Sequence, residues 1–311
     1  MRVHWNCVPL DFLGVLRVHG AQAHAFLQGQ LSNDMSRLTP EHSLLAGYHN
    51  PQGRVIALMR LVAQANDDVL AVLPRELVGG VASRLGKFIL RAKVKLQDES
   101  AQWKIEGLLA RASVGSDAEP DSQLLPASPA GVRRVAQSIC VRLGGSPARL
   151  LVLRPAAAAA LEGPAPTGTL EWELAAIGAG EPQVYAQTTE EFVAQMLNLD
   201  LLDAIAFDKG CYTGQEIIAR AHYRGRMKRR MQRFVTSERV QLRPGTAGRL
   251  ADGRPFKVVA AAGHADGRTE FLAVAPIAGA ADTAEAEVSA SGAPAAALSA
   301  AQLPLPYLLP A

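Results

Sequence analysis

The apolar runs between residues 55 and 96 limit the fold more than any other feature of this chain. Residues 55–62 and 69–73 are apolar over strand length, and the polar triplet Asn66-Asp67-Asp68 separates them, so the pair reads as a hairpin. A turn signal, His49-Asn50-Pro51-Gln52-Gly53, precedes the first run. Pro74 then stands where a helix would begin, and Leu77, Val81, Leu85, Phe88 and Ile89 recur at three- and four-residue spacing as one buried face. Val94 and Leu96 return to strand. Helices mixed with hairpin-joined strands predict an α+β fold rather than a doubly wound parallel sheet.

Upstream, residues 21–30 carry Phe26 and Leu27 in a helix-like setting and run into FLQGQLSND, which closes on the turn-prone Ser32-Asn33-Asp34. Residues 113–130 read as a surface loop and 155–168 as a short helix with a turn. Phe192, Met196 and Leu199 form one stripe with Val193 and Leu197 beside it, which predicts an amphipathic, core-packed helix over residues 190–202. Beyond Gln232, strand-like pieces at 233–235 and 256–261 alternate with Pro244-Gly245, Asp252-Gly253 and Asp266-Gly267. Turns so spaced suggest a small β-barrel or sandwich. The alanine-rich 278–301 reads either as strands with a loose loop or as a tail. With 311 residues there is room for two or three cores, and the expected division falls between 1–229 and 230–311.

Apolar residues at 49% and charged residues at 20% exclude wholesale disorder. The N-terminus is broken by Asn6, Pro9 and Asp11 and lacks a signal peptide's continuous apolar stretch, and no run approaches the roughly 20 apolar residues of a membrane helix. The expectation is a cytosolic protein without membrane partners. Cys7, Cys140 and Cys211 are odd in number, far apart and without CxxC spacing, so they suggest neither a disulfide framework nor a zinc site. They also fall short of the four ligands of an iron-sulfur site, and no metal is expected.

Cys211 lies in KGCYTGQE, residues 209–216. Thr213 with Glu216 fits a capping box, after which a helix would continue through Gln215, Ile217, Ile218 and Arg220. A thiol just before a helix start, with Lys209 two residues away, is placed to favour the thiolate. The same position also suits a small buried apolar residue, and Gly210 and Gly214 would then serve tight turns. Seven Arg or Lys residues and no acid fill 220–233, and removing them would take the formal charge from +3 to −4. Such a cluster could bind nucleic acid, phosphate or an acidic small-molecule tail, or be a solvated surface.

KGCYTGQE followed by IIARAHYRGRMKRR resembles the YgfZ-type folate-binding proteins, relatives of the glycine-cleavage T-protein. The likeness extends to FLQGQLSND, to Asn50-Pro51-Gln52-Gly53-Arg54 and to EEFVAQMLNLDLLDAIAFDKGCY. It implies a tripartite arrangement around a central folate cavity with a C-terminal β-barrel. It further implies a cytosolic accessory protein that holds tetrahydrofolate or a derivative and supports iron-sulfur enzymes or their assembly proteins and, through these clients, tRNA modification. On this resemblance Cys211 is the redox or transfer thiol and Lys209 its helper. Tyr212, Gly214, Gln215, Glu216, Arg220, Arg224, Arg226, Asn33 and Asp34 would serve cofactor binding.

Two positions depart from the relatives' pattern. Where aminomethyltransferases carry a catalytic aspartate, this chain has Ala57-Leu58, which can neither hold charge nor steer a proton, so one-carbon transfer in the T-protein manner is not expected. In IGAGEP, Gly178 stands where relatives place a pterin-facing polar residue, which leaves the donor edge of a pterin without that carboxylate. Alternative readings are an aminomethyltransferase-like one-carbon enzyme and a tRNA-binding module built on the basic segment. Tyr223 is the one aromatic among those cations.

Overall fold

The structure, a computed structural model, describes residues 5–110, 125–159, 165–166, 168–225, 227–277 and 297–310. Most of 113–130 and of 278–301, part of 155–168, and Arg226 lie outside these residues. Strands β1 (Trp5–Pro9) and β2 (Leu13–His19) lead to helix α1 (Ala23–Gln28), then to β3 (Leu44–His49), β4 (Val55–Ala65) and β5 (Asp68–Pro74). Helix α2 (Arg75–Gly86) precedes β6 (Lys95–Asp98), β7 (Trp103–Ala110), β8 (Val132–Val135), β9 (Ser138–Leu143), β10 (Arg149–Pro155) and the two-residue β11 (Ala165–Pro166). Helices α3 (Thr169–Gly178) and α4 (Gln215–Arg224) come next, before β12 (Arg229–Thr236), β13 (Ala247–Arg249), β14 (Pro255–Gly263), β15 (Thr269–Pro276) and β16 (Ala301–Leu303). Among the described residues these strands form three mixed or antiparallel sheets, ordered β3-β4-β5-β2-β6, β11-β1-β7-β10-β9-β8 and β13-β14-β15-β12-β16. The α+β expectation holds.

The hairpin expected from residues 55–73 is β4 with β5, paired antiparallel with Arg60 opposite Val72. Its near-continuous apolar sequence follows from burial on both faces. Ile56, Met59, Leu61 and Ala63 join the core under α1 and α2, while Leu58 and Val62 point into cores shared with the other sheets. Each of these side chains larger than alanine contributes about 1.5–3 kcal/mol of burial. Helix α2 starts after Pro74 as expected and buries Val78, Val81 and Leu85, but it stops at Gly86, so Phe88 is half exposed rather than on the buried face.

Three expectations are corrected. Residues 190–202 are not an amphipathic helix. Glu190, Asn198 and Asp203 have positive φ, and one short 3-10 turn, Ala194–Leu197, is all the helix there. The backbone bonds of this segment go elsewhere: Val55 N–H donates to Phe192 O and Glu190 N–H to Val55 O, both at 2.8 Å, so β4 takes what a helix would use. Phe192, Leu197 and Leu199 still reach the core, from irregular backbone. The described part of 155–168 holds a turn and β11 rather than a short helix. The C-terminal strands form an open five-stranded sheet rather than a closed barrel; its edges meet at one parallel bridge, Leu250 with Leu298. Phe234, Phe256 and Phe271 pack inside it, with ring centroids 5.4 and 5.7 Å apart.

One core cluster draws on two of the three sheets, joining Leu58 of β4, Ile177 of α3, Ile218 of α4 and Val259 and Leu272 of the C-terminal sheet. An ion pair seals it: both Arg230 Nη atoms reach the Asp200 carboxylate at 2.8 and 2.9 Å, and both side chains are buried. None of the described helices is long and apolar enough to cross a membrane.

Candidate functional site

Lys209 enters the structure as a latch. Its Nζ donates to Gln28 O and Leu31 O at 2.7 Å and to Asn33 O at 2.8 Å, which occupies all three protons. Burial pushes its pKa down to about 8, against the opposing charge of Asp34. The ammonium also lies 5.2 Å from the centre of the Tyr212 ring, whose own hydroxyl is pushed up to about 12 by burial. Asn33 is fully buried and donates to Leu45 O at 2.8 Å and Asp203 O at 2.7 Å. Asp34 accepts from Ser36 N–H at 3.0 Å and from the Gln28 amide at 3.1 Å, and these bonds, Ser36 foremost, hold its carboxyl below the usual range. Thus Asn33, Asp34, Lys209 and Tyr212 meet where the turn after α1 receives the KGCYTGQE loop.

The capping box is absent. Gly214 itself is the N-cap of α4, with φ of 84°, and no side chain caps the helix. A Cβ on Gly214 would lie 2.5 Å from Asn50 O and 3.1 Å from the Gly53 Cα, so the loop closes on the 49–54 turn only through glycine. Beneath it His49 is buried with both ring nitrogens unpartnered, and burial drives its pKa down to about 3. Cys211 is exposed just before α4, and Glu216, Ile217, Arg220, Tyr223 and Arg224 are exposed along the helix. Gln215 is half-buried in its first turn. Arg226 lies outside the described residues. The inner end of the basic segment is structural instead: Arg230 pairs with Asp200, and Arg233 Nε bonds Glu270 at 2.7 Å. The structure also gives Tyr223 companions that spacing hid, since Phe207 and His222 stack at 3.8 Å and Tyr223 meets both edge-on.

A cavity of about 790 Å³ lies where the three sheets meet, walled by β3, β4 and β5, by β9 and β10, by α3 and by β14. None of the described candidate residues lines it. Its charged lining includes Arg60 of β4, Arg149 of β10 and Glu181, together with Asp11, Arg75, Glu76 and Glu173. Arg149 Nη2 donates to a Glu181 oxygen at 2.7 Å and to Gly144 O at 3.0 Å, and Arg60 Nη2 stands 3.6 Å from the other Glu181 oxygen. Burial would raise the Glu181 carboxyl, but the guanidinium charges of Arg149 and Arg60 outweigh it and keep the group below its ordinary range. Arg149 is 1% exposed, its Nε has no partner, and its guanidinium lies 5.3 Å from the centre of the Trp172 ring. Leu58 contributes an apolar wall. Gly178 does not line the cavity; a Cβ there would be 3.6 Å from Arg233 Nη2.

Sequence reasoning missed Arg60, Arg149 and Glu181. A signal was present for the arginines: each sits in a strand-length apolar run, LMRLV and ARLLV, where an unpaired charge would be costly.

No protein-family model matches the chain. An uncharacterized protein of Haemophilus influenzae is 28% identical over 240 residues, covering 77% of this chain and 76% of the relative. The tRNA-modifying protein YgfZ of Colwellia psychrerythraea is 30% identical over 226 residues, 71% of this chain and 69% of that one. Among solved structures, the glycine cleavage system aminomethyltransferase T of Bartonella henselae superposes with a TM-score of 0.68 at 14% identity, over 88% of this chain and 79% of the other. That likeness shows a T-protein-like fold.

Proposed function

The chain belongs to the YgfZ family, and from that premise we propose a folate-binding accessory protein that supports iron-sulfur enzymes and, through such clients, tRNA modification. The observation that carries this reading is the cavity between the three sheets. Its 790 Å³ falls in the roughly 300–1,000 Å³ range of small-molecule sites, with apolar and aromatic walls and a few convergent polar groups. A tetrahydrofolate fits that chemistry: Trp172 and Tyr185 give the wall aromatic surface, and Arg60 with Glu181 offers a donor beside an acceptor. The cofactor would supply a reduced, one-carbon-bearing ring. The protein's part is to enclose and orient it. Leu58 brings no acid or base to the cavity at the position where aminomethyltransferases carry their aspartate.

Cys211 is the proposed redox or transfer thiol, presented outside the cavity on the α4 side. Lys209, with its protons held by three carbonyls, sets the position of the loop rather than the charge of the thiol. Titration of the Trp fluorescence of the purified protein with 5-formyltetrahydrofolate tests the folate reading, with saturable one-to-one quenching expected. Absence of binding by both fluorescence and calorimetry sinks it. The accessory role is tested by restoring a tRNA-modifying iron-sulfur enzyme in cells that lack their own family member; rescue by wild type and not by Cys211→Ala is expected.

The Phe207–His222–Tyr223 cluster beside Arg220 and Arg224 favours a second reading, contact with tRNA. Binding that falls steeply with salt and weakens in Tyr223→Ala supports it, and salt-sensitive binding indifferent to that change reduces it to surface charge.

A further inference from the structure

The folate reading leaves open which groups recognise the ring, and the position the resemblance offers for that task is Gly178, outside the cavity wall. The carboxylate arrives instead three residues later. Glu181 is fixed by Arg149 through one oxygen at 2.7 Å, while its other oxygen is 3.6 Å from Arg60 Nη2, beyond hydrogen-bond length. That oxygen therefore keeps accepting capacity. Arg60, 14% exposed at its side chain, lines the cavity and has no other charged partner of opposite sign among the described residues. A half-buried donor stands beside a half-buried acceptor, and both need a partner once water is displaced.

The geometry points to Arg60 and Glu181, braced by Arg149, as a subsite that reads a pterin-type ring by its 4-oxo, N3–H and 2-amino edge. Arg60 donates to the oxygen and Glu181 accepts from the two nitrogens. This step rests on the folate reading and names its specificity. A carboxylate tail fits the same place badly, because it would satisfy Arg60 only by setting a second negative charge against Glu181. A neutral edge that presents an acceptor next to donors satisfies both groups at once. Trp172, under the Arg149 guanidinium, is the aromatic wall for the ring. The consequence is discrimination along this edge: a 4-amino ring turns a donor towards Arg60 and, because its N3 carries no hydrogen, an acceptor towards Glu181, so both groups lose their match.

The test compares folic acid with its 4-amino counterpart, which differ at position 4 and, in consequence, in whether N3 carries a hydrogen, by calorimetry on the full-length protein. Wild type should bind the 4-oxo ligand about 10- to 100-fold more tightly, the worth of a charge-assisted hydrogen bond. In Arg60→Met, which keeps the Arg149–Glu181 pair, that ratio should fall about tenfold with the melting temperature held. Glu181→Gln should weaken both ligands. Equal binding of the two ligands by wild type, or a ratio that survives Arg60→Met, overturns the subsite while the folate reading stands. Failure of wild type to bind either folic acid or 5-formyltetrahydrofolate overturns the folate reading itself.

Discussion

The cavity wall and the α4 surface are built from the same kinds of side chain and hold them in opposite ways. At the wall, Arg149 and Glu181 are locked together and Arg60 waits beside them; below it, Arg230 and Asp200 neutralise one another out of water. Along α4, by contrast, Ile218 is the buried anchor, and Arg220, Tyr223 and Arg224 stand exposed. Burial makes charge expensive unless it is paired, so the inner cations are bound to structure by their partners. Nothing in the fold demands that the outer groups be what they are. Charges paired out of water and groups exposed on α4 should therefore separate under mutation, the first losing stability and the second function.

The largest effect is expected from Asp200→Ala. It leaves Arg230 buried without its carboxylate and should cost about 3–5 kcal/mol in urea unfolding. Arg220→Ala and Arg224→Ala, from the same run of cations, should stay within about 0.5 kcal/mol of wild type. Comparable costs at the two ends of the segment would erase the distinction.

His49 gives the contrast a pH signature. Its folded pKa is about 3 through burial, against an ordinary value of about 6.5, so the unfolded chain takes up the proton first. The stability that neutral His49 supplies is complete above pH 6.5 and is lost as pH falls towards 3. The loss is on the order of a few kcal/mol. His49→Gln, which cannot titrate, should flatten that part of the curve, measured as the difference between wild-type and variant unfolding free energies at pH 4.5 and 7. Identical slopes would mean that the imidazole is not sealed beneath the Gly214 loop.

Gly214→Ala acts on the junction between the regions. With φ of 84° and Asn50 O only 2.5 Å from a new Cβ, the loop must shift, at about 1–3 kcal/mol. Because the loop carries Cys211, rescue in cells should fall along with stability.

How far the sequence reveals these two regions differs for a physical reason. KGCYTGQE is contiguous, so its position before a helix could be read from a short stretch, although the cap proved to be Gly214 and not Thr213. The cavity wall joins residues 60, 149 and 181, which meet only when two sheets and the segment after α3 come together, and no local spacing encodes that. The β4–β5 hairpin was legible because its two strands are neighbours in sequence. Residues 190–202 misled because helical apolar spacing records which side chains are buried and not how the backbone gets them there. That segment spends its amide bonds on β4, and only the pairing with Val55 reveals it.

The smallest effect on stability, and the sharpest test of the comparison, is Cys211→Ala. The thiol is exposed, so its loss should change the unfolding free energy by no more than about 0.5 kcal/mol. Folate affinity should also hold, since Cys211 does not line the cavity. Rescue in cells should nevertheless vanish. A variant that folds and binds folate but rescues nothing assigns the cavity and the surface to separable tasks, ligand holding and thiol chemistry. Weakened folate binding in the same variant would instead mean that the loop and the cavity wall move together. The Lys209 latch, which ties the loop to the chain after α1, would then be the connection to cut next, with Lys209→Met.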